Sequence, residues 1–227
     1  MTQAPLPQRW PAKHPDRIQL YSMATPNGQK IGIALEELEL PYEAHKINIL
    51  EGDQHDPEFR AINPNGKIPA IIDPTGKTPL RIFESGAILI HLANKTGRLL
   101  PKDAHGYAET LGWLFFQVGS VGPMFGQFGH FYRFAKDKTT DDYGKERYLA
   151  ETKRLLAVMD STLAEREFLA GDDYTIADIA NAPWVAGLSF YDPDGKVVSV
   201  DEFPSVARWK KQVLERPASV RGVKVCA

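Results

Sequence analysis

The spacing of apolar residues along the chain changes once, near residue 98. Before that point, short β-branched runs bounded by Gly, Pro and Asn predict strands, and apolar residues repeated every three or four positions predict helices. The predicted order is strand, helix, strand, short helical turn, two strands and helix, over residues 18–21, 27–40, 42–49, 57–62, 68–72, 80–83 and 85–97. A βαβ unit followed by a ββα unit predicts an α/β domain with a mixed four-stranded sheet.

After residue 98 the apolar spacing stays at three or four, which predicts an all-α C-terminal domain. A first long helix is expected from Ala104 to Phe134, with a kink where Pro123 falls inside the pattern. Gly112 and Gly119 lie on one face of this helix, where small residues let another backbone approach closely. A contact with a second subunit is the preferred interpretation, and tight packing within the chain is the alternative.

The remaining helices are indicated by their ends. One helix is expected over about 142–165, and a last helix stops before Pro217. Between them, Thr175 and Asp178 have the spacing of a capping box, a device that favours the start of a helix. The pattern thus predicts an extended N-terminal arm, an α/β domain, a linker and a helical domain, over residues 1–16, 17–97, 98–104 and 105–227.

Composition narrows the possible functions. The 227 residues are 43% hydrophobic and 25% charged, as in an ordinary globular protein, and the net charge of −2 argues against a nucleic-acid-binding surface. Cys226 is the only cysteine, so no disulfide forms within the chain, which suits a reducing cytoplasm. The sequence has no membrane-span-length apolar run and no apolar signal-peptide core, and its six histidines lack metal-ligand spacing. We therefore expect a cytoplasmic protein without a metal, membrane or nucleic-acid partner.

The segment 63–87 carries the most informative pattern, and it opens with a strand entered through a proline. Asn63-Pro64-Asn65-Gly66 is dense in turn-forming residues, and Ile68 begins the β-branched run that follows. Pro69 has no N–H to give to a sheet, so this end of the strand is expected at an edge or a bend. A cis Ile68-Pro69 bond would turn the Ile68 N–H and C=O outward, where they could pair with an extended peptide.

A helix then begins at Ser85, directly after Glu84. The backbone N–H groups of a first helical turn have no partner within the helix, and together with the helix dipole they favour a carboxylate. Glu84 has the opposite preference and would bind an ammonium group. The two residues together fit the zwitterionic head of an α-amino acid that is joined to a peptide backbone.

Four segments, taken together and in order, resemble the cytosolic glutathione S-transferase superfamily, and most closely its bacterial Nu-class and yeast Ure2p-like branch. They are Thr25-Pro26-Asn27-Gly28-Gln29-Lys30, Asn63-Pro64-Asn65-Gly66-Lys67-Ile68-Pro69-Ala70, Phe83-Glu84-Ser85-Gly86-Ala87-Ile88 and Thr175-Ile176-Ala177-Asp178. The likeness spans roughly residues 17 to 220. It implies the glutathione S-transferase fold, in which a thioredoxin-like domain binds glutathione and an all-α domain follows.

The reactive group of a glutathione enzyme is the thiolate, and a nearby hydrogen-bond donor lowers the pKa of the thiol. The loop 22–28 is the expected place for that donor, and it has no cysteine, which excludes a glutaredoxin-like protein thiol there. By resemblance, Thr25 and Asn27 face the sulfur and are the catalytic candidates, although both could serve instead as the cap and turn of the following helix. Tyr21 and Ser22 are the alternatives, and Tyr21 lies within a strand, where a core position is expected.

The resemblance also implies the residues that bind glutathione. Gln117 is expected to reach the glutathione of a neighbouring subunit. Arg147 is expected to meet a glycine carboxylate or a second glutathione, with Arg154 as the alternative, and both arginines could instead be solvated helix charges. The full expected set is Asn27, Gln54, Lys67, Ile68, Pro69, Glu84, Ser85, Gln117 and Arg147.

The function implied by the resemblance is that of a glutathione-dependent enzyme. It would reduce small disulfides with bound glutathione thiolates and no protein cysteine. The alternatives are conjugation of glutathione to electrophiles and a non-catalytic regulatory or binding protein of the same fold. The expected partners are glutathione or glutathione disulfide, a small hydrophobic or disulfide second substrate, and a second copy of the chain in a homodimer.

Overall fold

The computed structural model describes residues 6–135, 137–138 and 141–227, and it divides them into two units. The sheet unit contains the described residues up to Arg98 together with Pro217–Ala227, and the helical unit contains those of Leu99–Arg216. The predicted order of a mixed α/β domain followed by an all-α domain is confirmed. Residues 217–227, which the sequence pattern assigned to the helical domain, pack with the sheet unit instead.

Strands occur in the sheet unit, and helices occur in both units. The sheet unit begins with β1 Ile18–Ser22, α1 Pro26–Glu37, β2 Tyr42–Lys46, α2 Pro57–Ile62, β3 Ala70–Asp73, β4 Leu80–Phe83 and α3 Ser85–Thr96. The helical unit follows with α4 Ala104–Phe116, α5 Gly122–Gly129, α6 Tyr143–Leu163, α7 Ile176–Tyr191 and α8 Pro204–Leu214. The chain then returns to the sheet unit with α9 Pro217–Gly222.

The four strands form one mixed sheet in the order β2-β1-β3-β4. β1 is parallel to β2, whereas β3 is antiparallel to both β1 and β4. Two strands are shorter than expected, because β2 ends at Lys46 and β3 begins only at Ala70. On one face of the sheet, Tyr21 of β1 packs with Phe59 and Ile62 of α2 in a buried cluster. The pairing of β1 with β3 thus fixes the start of the loop that follows β1 and the end of the loop that precedes β3.

The N-terminal arm, predicted over residues 1–16, is described from Leu6 onward, and its first five residues lie outside the described part of the chain. Trp10 packs against the buried cluster of the sheet. Arg9 forms ion pairs with Asp53 and Asp56, and its backbone N–H donates to Glu58 Oε2 at 3.0 Å. The arm therefore lies against the segment that precedes and begins α2.

The sequence pattern ended the last helix before Pro217 and missed α9, which Pro217 begins. α9 packs on α1 with almost no space between the two backbones. A Cβ atom on Gly32 would lie 2.3 Å from the carbonyl oxygen of Gly222, and a Cβ on Gly222 would lie 2.4 Å from the backbone of Ile33. Only glycine fits at both positions, so this contact depends on the two glycines together.

The expected long helix over 104–134 is helical throughout, but it is not one regular α-helix. Two π-helical stretches, Gln117–Val121 and His130–Phe134, interrupt it after α4 and after α5. Pro123 lies in the first turn of α5, directly after the first of these stretches, so the interruption falls where the proline indicated it. No helix in the described part of the chain is long and apolar enough to cross a membrane.

The predicted capping box at the start of α7 is present. Thr175 N donates to Asp178 Oδ2 at 2.9 Å, and the Thr175 hydroxyl accepts from the first turn of the helix. The other oxygen of Asp178 accepts from the Trp209 indole at 2.8 Å and from Leu169 N at 3.0 Å. The cap is therefore also a buried link between α7, α8 and the segment that precedes α7.

One buried carboxylate links the end of β3 to α3. Asp73 Oδ2 accepts from His91 Nε2 at 2.7 Å and from Lys95 Nζ at 3.0 Å, and Thr75 N donates to Oδ1 at 2.9 Å. Burial raises the pKa of Asp73, but the hydrogen bonds from Thr75, His91 and Lys95 outweigh it and hold the pKa well below its usual range. The ionised Asp73 thus anchors α3 to the sheet.

The substitution Asp73→Asn is expected to lower the free energy of unfolding by about 2 kcal/mol at pH 7, since His91 and Lys95 lose a charged acceptor. Because the folded pKa of Asp73 lies below the unfolded value, its stabilisation is present above the unfolded pKa of about 3.9 and is lost as pH falls through the folded pKa. Urea unfolding of both proteins at pH 7 and at pH 3 should show the difference narrowing in acid.

Asp194→Asn is the matched control, because Asp194 forms an exposed ion pair with Lys196. That variant should unfold at nearly the same urea concentration as the wild type at both pH values. A destabilisation by Asp73→Asn that is equal at pH 7 and pH 3 would contradict an ionised anchor.

Candidate functional site

A cavity of about 250 Å³ opens in the sheet unit where three segments meet. These segments are the first turn of α1, the loop between α2 and β3, and the start of α3 with its N-cap residue. The residues that line the cavity are Asn27, Asn63, Asn65, Lys67, Ile68, Pro69, Glu84 and Ser85. The structure therefore brings together six of the residues expected from the sequence and adds Asn63 and Asn65.

The loop between β1 and α1 places the two residues expected to face a sulfur. Thr25 is the N-cap of α1, and its Oγ1 accepts from Gly28 N at 3.5 Å. A hydroxyl that accepts one bond keeps its own proton, so Thr25 can cap the helix and still donate to a ligand. Asn27, in the first turn of α1, lines the cavity with a half-buried side chain. Both roles considered for these residues are thus compatible.

The tight path of this loop depends on Gly28. A Cβ atom there would lie 1.9 Å from the carbonyl oxygen of Met23 and 2.5 Å from Ser22 Oγ. The loop is also held from the C-terminal segment, because Ala24 N donates to the carbonyl oxygen of Cys226 at 3.2 Å. The start of α1 is consequently fixed by backbone contacts on both sides.

The two alternative hydroxyls do not line the cavity. Tyr21 is fully buried, and its ring stacks on His45 with 4.7 Å between the ring centroids. Burial raises the pKa of Tyr21, so the phenol stays protonated at neutral pH. Ser22 is also buried, and its hydroxyl donates to Met23 O at 3.4 Å. The core position expected for Tyr21 is the one that it occupies.

Side-chain hydrogen bonds shape the loop between α2 and β3. Asn63 is buried, accepts from Asn65 N at 3.0 Å and donates through its amide to the carbonyl oxygen of Lys67. The Ile68-Pro69 bond is cis, and the first pair of the β1–β3 ladder is Tyr21 with Ala70, so Ile68 lies outside the ladder. The position suits the binding of an extended peptide backbone. The sequence pattern identified the asparagines only as turn residues, and their place directly before Ile68 was the available signal.

The first turn of α3 has the properties expected for binding a zwitterion. Ile88 N makes the first bond of the helix, to Glu84 O at 2.9 Å, so the N–H groups of Ser85, Gly86 and Ala87 precede the helical ladder. Ser85 is buried, whereas Glu84 is exposed and has a φ of +70°, a region that non-glycine residues rarely adopt. Such backbone outliers persist where the surrounding structure holds them, and they cluster at ligand-binding sites.

Lys30 is a part of this site that the sequence interpretation missed. It lies in α1 with only 1% of its surface exposed, and its Nζ donates to Ser85 Oγ at 3.1 Å. Burial lowers the pKa of Lys30 to about 7, against the opposing effect of the Glu84 charge. The signal was in the pattern, because Lys30 is four residues before Ala34 and so shares the apolar face of the helix.

Gln54 does not line the cavity. It lies in the short 3₁₀ turn Asp53–His55, where its Nε2 donates to Ile49 O at 3.2 Å. Its Oε1 is buried and accepts no hydrogen bond from the residues that the structure describes. A contact between Gln54 and glutathione stays a prediction.

The other expected contacts belong to the helical unit. Gln117 is buried at the start of the first π-helical stretch, close to Gly122, and Arg147 is exposed on α6. Arg154 makes two hydrogen bonds of 2.8 Å to Glu151 on the same helix. Arg154 is thus paired with a residue of its own helix. The roles of Gln117 and Arg147 stay predictions. Among the residues that the structure describes, no group of three or more His, Cys, Asp or Glu side chains is placed to hold a metal ion.

Comparison with known proteins gives consistent results for both parts of the chain. A family model described as Glutathione S-transferase, N-terminal domain matches residues 24–95, and one described as Glutathione S-transferase, C-terminal domain matches residues 123–217. Disulfide-bond oxidoreductase YghU of Escherichia coli (strain K12) is 46% identical over 219 residues, which cover 92% of this chain and 74% of YghU. Disulfide-bond oxidoreductase YfcG of the same strain is 44% identical over 205 residues, which cover 89% of this chain and 92% of YfcG.

A solved structure is similar over the whole chain. It is a glutathione transferase from Pseudomonas putida with one glutathione disulfide bound per subunit. The two proteins are 47% identical, the TM-score is 0.95, and the match covers 100% of both chains.

Proposed function

Because the chain belongs to the glutathione S-transferase superfamily, we propose that it is a glutathione-dependent disulfide reductase whose cavity in the sheet unit binds glutathione. The observation that carries the proposal is the joining of two sites in that cavity. The first turn of α3 offers N–H groups that precede the helical ladder, beside the carboxylate of Glu84. Asn27, in the first turn of α1, lines the same cavity, and Thr25 is the N-cap of α1, two residues before it. Two related proteins are named disulfide-bond oxidoreductases.

The arrangement assigns a part of glutathione to each segment. The γ-glutamyl carboxylate binds Ser85 and the first turn of α3, and the ammonium binds Glu84. The cysteinyl backbone pairs with Ile68 as an added strand, with Lys67 and Pro69 beside it. The thiol then lies towards Asn27 and Thr25. The contacts expected from Gln54, from Arg147 and from Gln117 of a neighbouring subunit are not part of this cavity and stay predictions. In this arrangement the donors at the start of α1 stabilise the thiolate.

The reaction balances with two glutathione molecules. A bound glutathione thiolate attacks one sulfur of a small disulfide, forms a mixed disulfide and releases the first thiolate of the substrate. A second glutathione thiolate attacks the glutathione sulfur of the mixed disulfide, which yields glutathione disulfide and releases the second thiolate. Two glutathione thiols are oxidised for each disulfide that is reduced, so the protein itself undergoes no redox change.

The one protein thiol is unsuited to this chemistry. Cys226 Sγ is directed to the carbonyl oxygen of His45 at 3.7 Å, and burial raises its pKa to about 11. The reactive sulfurs therefore come from glutathione. This assignment suits the cytoplasm, where glutathione is held mostly reduced.

Reduction of hydroxyethyl disulfide in the presence of glutathione tests the function. The Cys226→Ser protein should retain the wild-type rate within about twofold, because no mixed disulfide with the protein lies on the path. Calorimetry with glutathione checks that the variant still binds its co-substrate, and Cys226→Ala provides a second variant if the buried serine destabilises the fold. Loss of activity with intact glutathione binding would overturn the mechanism. A faster reaction with 1-chloro-2,4-dinitrobenzene than with the disulfide would favour conjugation instead.

Asn27→Ala should raise the pKa of the bound thiol and slow disulfide reduction about tenfold at pH 7, because a hydrogen bond to the thiolate is lost. Part of the rate should return as the pH rises and the thiol ionises without help. The ultraviolet absorbance of the bound thiolate, followed against pH, reports the pKa directly.

Thr25→Ala should act in the same direction, with Thr25→Ser as the matched variant that keeps both the cap and the donor. The double variant should lose less than the sum of the single losses if both donors serve one sulfur. An unchanged thiol pKa in both single variants would show that the sulfur lies elsewhere.

The helical unit has features that suit a homodimer. Phe115 is 61% exposed on α4. Cβ atoms added to Gly112 and Gly119 would meet nothing within 4 Å among the described residues, apart from their chain neighbours and the helix's own nearby backbone. These three positions are three and four residues apart and form an open stripe with a large apolar side chain at its centre. A second copy could approach such a stripe closely, which supports the expected dimer.

Sedimentation at micromolar concentration should therefore give about twice the 25.3 kDa of one chain. Phe115→Asp should shift the protein towards the monomer, because dimerisation would bury a charge. Tyr143→Asp, at another exposed aromatic residue on α6, should leave the mass unchanged. A wild-type protein that sediments only at 25.3 kDa would refute the dimer.

A further inference from the structure

Lys30 is buried in contact with Ser85, and the burial of a charged side chain beside the cavity requires an explanation. A lysine is almost never fully buried unless its ammonium group has a partner. Here the Nζ atom donates to Ser85 Oγ at 3.1 Å, from a side chain that is 1% exposed. The contact joins α1 to the first residue of α3, where a carboxylate is expected to bind.

The chemistry of the two groups sets the direction of the Ser85 hydroxyl. An ammonium group has three donors and no acceptor, whereas a hydroxyl has one donor and two acceptor lone pairs. In the protonated form of Lys30, Ser85 Oγ therefore accepts from the ammonium group, and the hydroxyl proton points away from the lysine. A carboxylate bound nearby favours that protonated form. Because Ser85 lines the cavity, that proton can be donated to a ligand there.

The two charges near Ser85 have opposite signs and different exposure. Glu84 is exposed at the cavity, and its charge acts on Lys30, which lies below Ser85. An α-amino acid head carries a carboxylate and an ammonium group on one carbon, so it can satisfy both charges at once. Lys67 also lines the cavity, but it is exposed, and the buried Lys30 is the cation in contact with Ser85.

We propose that Lys30 is a positioning residue for the γ-glutamyl end of glutathione, which orients the Ser85 hydroxyl towards the α-carboxylate and places a positive charge beneath it. The proposal rests on the proposed function, because it takes glutathione as the ligand of this cavity. Lys30 acts through Ser85 and does not touch the reacting sulfur. Its removal therefore affects binding of the γ-glutamyl carboxylate and leaves the thiol chemistry in place.

A pair of ligands isolates this role. S-methylglutathione has no ionisable thiol, so its binding reports the peptide contacts alone. The second ligand is the same molecule without the γ-glutamyl α-carboxylate, in which a 4-aminobutanoyl group replaces the γ-glutamyl group. Calorimetry on wild type, Lys30→Met and Lys77→Met compares the two. Lys77 is exposed in the β3–β4 turn, so its variant removes an equal charge away from the cavity.

Lys30→Met should weaken binding of S-methylglutathione about 10- to 100-fold, which corresponds to the loss of a charge-assisted hydrogen bond. Binding of the ligand without the carboxylate should change less than about threefold, and Lys77→Met should bind both ligands as the wild type does. The melting temperature of Lys30→Met should be equal or higher, because an apolar side chain replaces a buried charge. In turnover, KM for glutathione should rise while kcat changes little.

Lys30→Gln separates the two parts of the role and serves if the methionine variant does not fold. An amide keeps a donor for Ser85 without the charge, so it should recover part of the lost affinity for S-methylglutathione. Unchanged binding in Lys30→Met, or an equal loss with both ligands, would overturn the role of Lys30 alone. A wild-type protein that does not bind S-methylglutathione would overturn the proposed function, and the role of Lys30 with it.

Discussion

The site depends on the unpaired N–H groups in the first turn of α3. These groups precede the hydrogen-bond ladder of the helix, and Ser85, the first residue of the turn, lines the cavity in which a ligand is proposed to accept their hydrogen bonds. Two contacts hold α3 in place, since Asp73 ties its second half to the end of β3 and Lys30 of α1 reaches Ser85 at its start. The loop that contains Ile68 and Pro69 and the buried Lys30 both lie at the start of this helix.

The sequence predicted the order of strands and helices, the family and the cavity-lining positions around Ile68 and Ser85, and each of these rests on local patterns. Turn residues, β-branched runs and capping boxes act over a few residues, so a single sequence reveals them. The family resemblance is confirmed because its segments match in combination. Local sequence patterns were thus sufficient to predict the strands of the sheet and the cavity-lining residues around Ile68 and Ser85.

Features that depend on distant residues were missed. α9 forms where Gly222 meets Gly32 of α1, and no pattern near Pro217 indicates that partner. The position of Lys30 on the apolar face of α1 was visible in the sequence, but its contact with Ser85 follows from the packing of α1 beside α3. The sequence indicated an interruption at Pro123 but not the two π-helical stretches that flank α5. Such contacts join residues that lie far apart along the chain.

The return of α9 to the sheet unit has a consequence for how the protein is made. Residues 217–227 leave the ribosome only after the whole helical unit has been synthesised, a delay of roughly 6 to 24 seconds at about 5 to 20 residues per second. Until then α1 lacks the helix that covers Gly32, and the loop that carries Thr25 lacks its backbone bond to Cys226. The nascent sheet unit therefore has one helix uncovered until residues 217–227 have been synthesised.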